Sequence, residues 1–101
     1  MNDTATISWI LLAIGIASEN APVDYRGITQ IADGINHAVP TDKEMQTSIK
    51  WLLHNDLILK NGKKYSLTES GANLINSSKE KTKTILRIWD NLKIKIQTDY
   101  D

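Results

Sequence analysis

The apolar positions in the first twenty residues do not form a stripe. Ile7, Leu11, Ile14 and Ser18 mark one face of a helix over about 6–18, while Trp9, Ile10, Leu12, Ala13, Ile16 and Ala17 fill most of the rest. A helix that is apolar all round is buried all round. Either the C-terminal helix of this chain or a partner chain must therefore cover its second face. Glu19-Asn20-Ala21-Pro22 ends the helix, because proline cannot continue one. The apolar run is too short to span a bilayer. The residues before it carry Asp3 and no Lys or Arg, so it reads as a buried helix and not as a secretion leader.

Beyond Pro22 the pattern becomes periodic. Val23 marks a short extended piece, and Asp24 has the chemistry of an N-cap for a second helix over about 25–37, with Ile28, Ile31 and Ile35 as its stripe. Gly27 and Gly34 each weaken that helix by about 1 kcal/mol relative to alanine, and Gly34 is a candidate for close helix packing. Thr41-Asp42-Lys43-Glu44 has the form of a capping box, in which hydroxyl and carboxylate satisfy each other's backbone amides. It predicts a third helix over about 42–55. Met45, Ile49, Leu52 and Leu53 form its inner stripe, and Lys43, Gln46, Thr47, Lys50 and His54 its outer face. Trp51 lies off the stripe and is expected to pack toward the hairpin formed by the next residues.

In that hairpin, Leu57-Ile58-Leu59 and Lys64-Tyr65-Ser66-Leu67 read as two short strands around Asn61-Gly62, the strongest short hairpin signal, for which a type I′ turn is expected. Thr68 is placed to cap a fourth helix, with Glu69 in its first turn, where the helix dipole favours an acid. From Ser70 to about Thr98 the chain is helix-compatible. Ile85, Trp89, Leu92 and Ile96 recur at helical spacing, widened by Leu86 and Ile88, and Asn76-Ser77-Ser78 is a candidate break. The pattern divides the chain into a lobe over 1–78 and a C-terminal helix over 79–101 that either closes the core or pairs two chains.

With 101 residues, 41% of them apolar, the chain has enough material for one core and not two. It contains no cysteine, which excludes disulfides, thiolate metal sites and cysteine nucleophiles and makes a reducing cytoplasm the expected compartment. The formal net charge of zero conceals a split: residues 1–56 carry −4 and residues 57–98 carry +6. A basic half can meet a polyanion although the whole molecule is neutral.

The phrase Ile49-Lys50-Trp51-Leu52-Leu53-His54-Asn55-Asp56-Leu57-Ile58, followed by Tyr65-Ser66-Leu67-Thr68-Glu69-Ser70-Gly71, resembles winged-helix (winged helix-turn-helix) domains of the MarR- and PadR-type bacterial regulators. The resemblance covers about 7–75. Asp56 stands where glycine is usual in those families, and aspartate tolerates the left-handed backbone such a site needs. The resemblance implies a mostly α fold with a small β-hairpin and an additional C-terminal helix. It implies a DNA-binding transcriptional regulator, with the third helix in the major groove and the hairpin, or wing, on the backbone. Carried over by position, the DNA-contacting residues are Thr41, Lys43, Gln46, Thr47 and Lys50 on the helix and Lys60, Asn61, Lys63 and Lys64 on the wing. Many relatives dimerise through their terminal helices, which here implies a homodimer interface of Trp9, Leu12, Ile16, Ile85, Trp89, Leu92 and Ile96.

Lysines neutralise phosphates, a glutamine can address adenine, and a threonine can touch a thymine methyl. Against this, the third helix has no arginine, and Asp42 and Glu44 bring negative charge to its start. The alternative is a winged-helix protein–protein interaction module that binds no DNA, since fold alone does not decide function. A ligand-sensing pocket could be lined by Trp9, Tyr25 and Trp89, although aromatics more often simply fill cores. An enzyme is not expected. His37 and His54 have no partners at metal-ligand spacing, and there is no phosphate-binding glycine loop or nucleophile elbow. No cofactor is expected.

Overall fold

The computed structural model describes residues 3–100, which form five helices and three short strands. In chain order these are α1 (Thr4–Ala17), β1 (Val23–Asp24), α2 (Tyr25–Asn36), α3 (Asp42–His54), β2 (Ile58–Asn61), β3 (Lys64–Leu67), α4 (Glu69–Ser78) and α5 (Ile85–Tyr100). The fold is mostly helical, with one small antiparallel sheet in the order β1-β3-β2. No described helix is long and apolar enough to cross a membrane.

α1 is the hub. It packs against α2, α3 and α5, and touches α4 and β3. Ile7 and Trp9 through Ile14 are all buried, as an all-round apolar helix requires. The second face is covered in cis. Ile88, Leu92 and Ile96 of α5 join the same buried cluster as Leu11, Leu12 and Ile14. The Trp9 and Trp89 rings lie 6.1 Å apart, tilted by 32°. Trp89 Nε1 donates to the Ala5 carbonyl at 2.9 Å and to Ser8 Oγ at 3.1 Å, and Trp9 Nε1 donates to the Ala32 carbonyl at 2.9 Å. Trp9 thus buries its ring and Trp89 half-buries its own, and each satisfies its N–H.

The helix starts follow from their caps. Asp24 Oδ1 accepts from the Gly27 amide at 2.9 Å. Thr41 Oγ1 accepts from the Glu44 amide at 3.0 Å, while Glu44 Oε1 accepts from the Thr41 amide at 2.9 Å, completing the capping box. Thr68 Oγ1 accepts from the Gly71 amide at 3.0 Å. The same hydroxyl donates to the Asp56 carbonyl at 2.6 Å, and the Thr68 amide donates to the Leu57 carbonyl at 3.2 Å. These bonds tie the start of α4 to the turn after α3. That turn is left-handed at Asp56, with φ of 59°. Gly71 is required at the start of α4, because a Cβ on it would run into the Leu57 carbonyl oxygen.

Several expectations are corrected. The hairpin loop is Gly62-Lys63, not Asn61-Gly62, because Asn61 pairs with Lys64 as the last strand residue. Only Gly62 has positive φ (65°), which is the type II′ pattern and not I′. Leu53 is not in the inner stripe of α3 but 37% exposed, and buried Ser48 takes a place on that inner face. Trp51 packs edge-on to Tyr100 of α5 at 5.5 Å. Gly34 is exposed with open space around it, so it permits no close packing. Of the two alternatives for the stretch after Ser70, two helices are found, but Asn76-Ser77-Ser78 lies inside α4 and the break is at 79–84.

Candidate nucleic-acid interface

α3 presents Lys43, Gln46, Thr47, Lys50 and His54 to solvent, while Met45, Ser48, Ile49 and Leu52 face the core. Residues at spacings of three and four share a helix face, so the exposed five form one polar strip. Thr41 is exposed at the strip's start, its hydroxyl engaged in the capping box. The helix is fixed at both ends. At its start the Tyr25 hydroxyl donates to Asp42 Oδ1 at 2.7 Å. At its end the Asn55 side chain donates to the Trp51 carbonyl at 3.0 Å, ahead of the left-handed Asp56. Partial burial, the hydrogen bond to Asp42 and the charge of that carboxylate push the Tyr25 phenol up to about 12.

α2 and α3 are joined by a short turn that begins at His37, whose φ of 55° is left-handed. Its amide donates to the Asp33 carbonyl at 2.7 Å, closing α2. Pro40 is buried in the turn.

The hairpin divides its cations between faces. Lys60 stands opposite Tyr65, and Asn61 opposite Lys64. Residues directly opposite share a face, so Lys60 lies on the side of buried Tyr65, with its Nζ 5.8 Å from the ring centroid. Lys64 lies on the outer side, between Asn61 of β2 and Asp24 of β1. Lys63 is in the loop. All four residues, Lys60, Asn61, Lys63 and Lys64, are exposed. The carboxylates of Asp24, Asp42 and Glu44 are each occupied by a hydrogen bond within the chain.

The expected dimer residues fall into two groups. Trp9, Leu12, Leu92 and Ile96 are buried within the single chain and present no surface, which corrects their assignment as an interface. The reason is that α5 folds back on α1. Ile16 and Trp89 are half-buried and Ile85 is exposed. Leu86 and Ile94, which the periodicity did not single out as surface groups, are more than half exposed. Trp9 and Trp89 lie against each other and spend both indole N–H groups on acceptors of the chain itself, while the Tyr25 hydroxyl is engaged by Asp42. Among the described residues no group of His, Asp or Glu is arranged to hold a metal ion.

Comparison with models of protein families, with curated proteins and with solved structures finds no match to this chain.

Proposed function

We propose that the chain is a winged-helix domain of the kind found in MarR- and PadR-type regulators, and that it acts as a DNA-binding transcriptional regulator in the cytoplasm. The observation that carries this reading is the solvent-facing strip Lys43, Gln46, Thr47 and Lys50 on a helix pinned at both ends, followed at once by a hairpin bearing three exposed lysines. In this reading α2, the His37–Thr41 turn and α3 are the helix-turn-helix. The β2–β3 hairpin is the wing, and β1 is the short strand that backs it. Gln46 and Thr47 read base edges, while Lys43, Lys50, Lys60, Lys63 and Lys64 neutralise phosphates. A homodimer would present two such helices to a two-fold site. Its interface would be built on the outer side of α5, around Ile85, Leu86 and Ile94.

A second reading is a winged-helix module that binds another protein. It is favoured by one observation: the start of α3 is filled by the chain's own carboxylates, Asp42 and Glu44, where a phosphate would otherwise approach. Fluorescence anisotropy of a labelled mixed-sequence duplex, titrated at low and at near-physiological salt, separates the two. Binding that weakens steeply with salt is expected for the DNA reading. No binding at low salt would leave the interaction module.

A further inference from the structure

The surface between the C-terminal half of α1 and the α4–α5 loop has a chemistry that neither reading uses. A cleft of about 430 Å³ opens between the C-terminal half of α1, the α4–α5 loop and the start of α5. Its floor is aliphatic: Leu12 and Ile88 are buried, Ile16 is half-buried, and Ile85 stands at the mouth, 37% exposed. The loop supplies Lys79, Thr82 and Lys83. Both lysines are exposed, and neither has a carboxylate partner, since the ion pair in the described residues is Lys93–Asp90. Thr82 is held in place: its amide donates to the Lys79 carbonyl at 3.2 Å, and its hydroxyl accepts from the Thr84 amide at 3.2 Å. That leaves the hydroxyl proton free to be donated outward. A second cleft, of about 340 Å³, shares Ile16 and Lys79 with the first and continues to Leu67 at the end of β3. That second cleft is lined also by Ser18, Glu19, Ser66 and Asn76, so the aliphatic surface with cations beside it belongs to the first.

We infer that this cleft binds an aliphatic carboxylate, a fatty-acid-like anion whose tail lies on Ile16, Ile85 and the accessible edge of Ile88, and whose carboxylate meets Lys79, Thr82 and Lys83. The volume falls in the range of small-molecule sites, roughly 300–1,000 Å³, which are mostly apolar with a few placed polar groups. The charge decides the class. Two unpaired lysines beside an aliphatic floor favour an anion with a tail over a neutral lipid. The site is separate from the α3 strip and stands whether or not the chain binds DNA.

The test is a titration followed by amide NMR, using hexanoate, octanoate and decanoate below their micelle-forming concentrations, with decanol as the neutral analogue. Saturable shifts confined to Leu12, Ile16, Lys79 to Ile88 and their neighbours are expected. Affinity should rise about two- to fourfold per added methylene as the tail is covered. The variant Lys79→Gln with Lys83→Gln, whose changes are on exposed side chains, should lose roughly fivefold toward decanoate and little toward decanol. Shifts spread over the whole domain without saturation would overturn the proposal, as would equal affinities for decanoate and decanol. Binding only to anionic vesicles, with no response to decanoate, would also overturn it and point to a membrane surface.

Discussion

Tyr25 and Asp42 join the first turns of α2 and α3 through one hydrogen bond of 2.7 Å between phenol and carboxylate. Tyr25→Phe removes the bond and keeps the ring. Being surface-accessible, the bond should be worth about 0.5–1 kcal/mol near neutral pH. Its pH dependence has a definite sign. The folded phenol titrates at about 12 against 10.0 when unperturbed, so the folded state holds its proton longer. The contribution is present in full below the unfolded value and is lost as pH rises from there through the folded one. Urea unfolding at several pH values should show wild type losing more stability than Tyr25→Phe between pH 10 and 12. Parallel curves would contradict the assignment.

Trp89 closes α5 onto the beginning of α1. Trp89→Phe keeps an aromatic ring against Trp9 but loses the bonds to the Ala5 carbonyl and Ser8 Oγ. A loss of about 1 kcal/mol is expected. Trp89→Ala, which also removes the ring contact, should cost about 3 kcal/mol. Chemical denaturation followed by circular dichroism measures both.

Two helical glycines should respond in opposite directions. Gly71→Ala puts a methyl group into the Leu57 carbonyl and should destabilise by about 2–3 kcal/mol. Gly34→Ala meets nothing within 4 Å and should stabilise by about 0.5–1 kcal/mol through helix propensity alone. Thermal melts of the pair would expose any error in either placement.

Ser48 carries a buried hydroxyl with no hydrogen-bond partner, on the inner face of α3. A buried polar group left unpaired costs free energy, so its removal should be harmless or helpful. Ser48→Ala is expected to leave stability unchanged or raise it by up to about 1 kcal/mol. A clear loss would mean that the hydroxyl has a partner in solution.

For the proposed DNA contact, Lys63→Ala with Lys64→Ala should weaken binding to all sequences alike and lower the salt-dependence slope by about 2. Gln46→Ala should relax preference at one base position while leaving the slope unchanged. Anisotropy titrations across a salt series read both effects, and an unchanged affinity in the double variant would remove the hairpin from the interface.

What could be read in advance divides along physical lines. Thr41-Glu44, Asp24 and Thr68 act within three residues of themselves, so their caps were legible from sequence spacing. So was the left-handed backbone at Asp56, which aspartate tolerates. The turn type was not. Asn61-Gly62 carries a local I′ signal, but pairing of Lys60 with Tyr65 and Asn61 with Lys64 shifts the loop by one residue. Leu53, Trp51 and Gly34 went astray for a similar reason, since their surroundings are set by elements distant in sequence. The cover on α1 was correctly demanded by its all-round apolarity. Whether it came from the same chain depended on the break after Ser78, which lets α5 turn back. Among the candidate contacts, the α3 strip was legible from period alone. The splitting of the hairpin lysines between two faces needed the strand register.

The position of α1 also determines when the domain can finish folding. It precedes α5 in synthesis, yet Trp89 bonds to a carbonyl 84 residues earlier. At synthesis rates of roughly 5–20 residues per second, the stretch between Ile16 and Ile88 takes roughly four to fifteen seconds to appear. Throughout that interval the side of α1 around Trp9 and Leu12 has no lid. Contacts that link distant parts of a chain also slow folding once it is complete. Until α5 docks, the emerging chain therefore carries an uncovered greasy helix face, and only the arrival of that helix withdraws it.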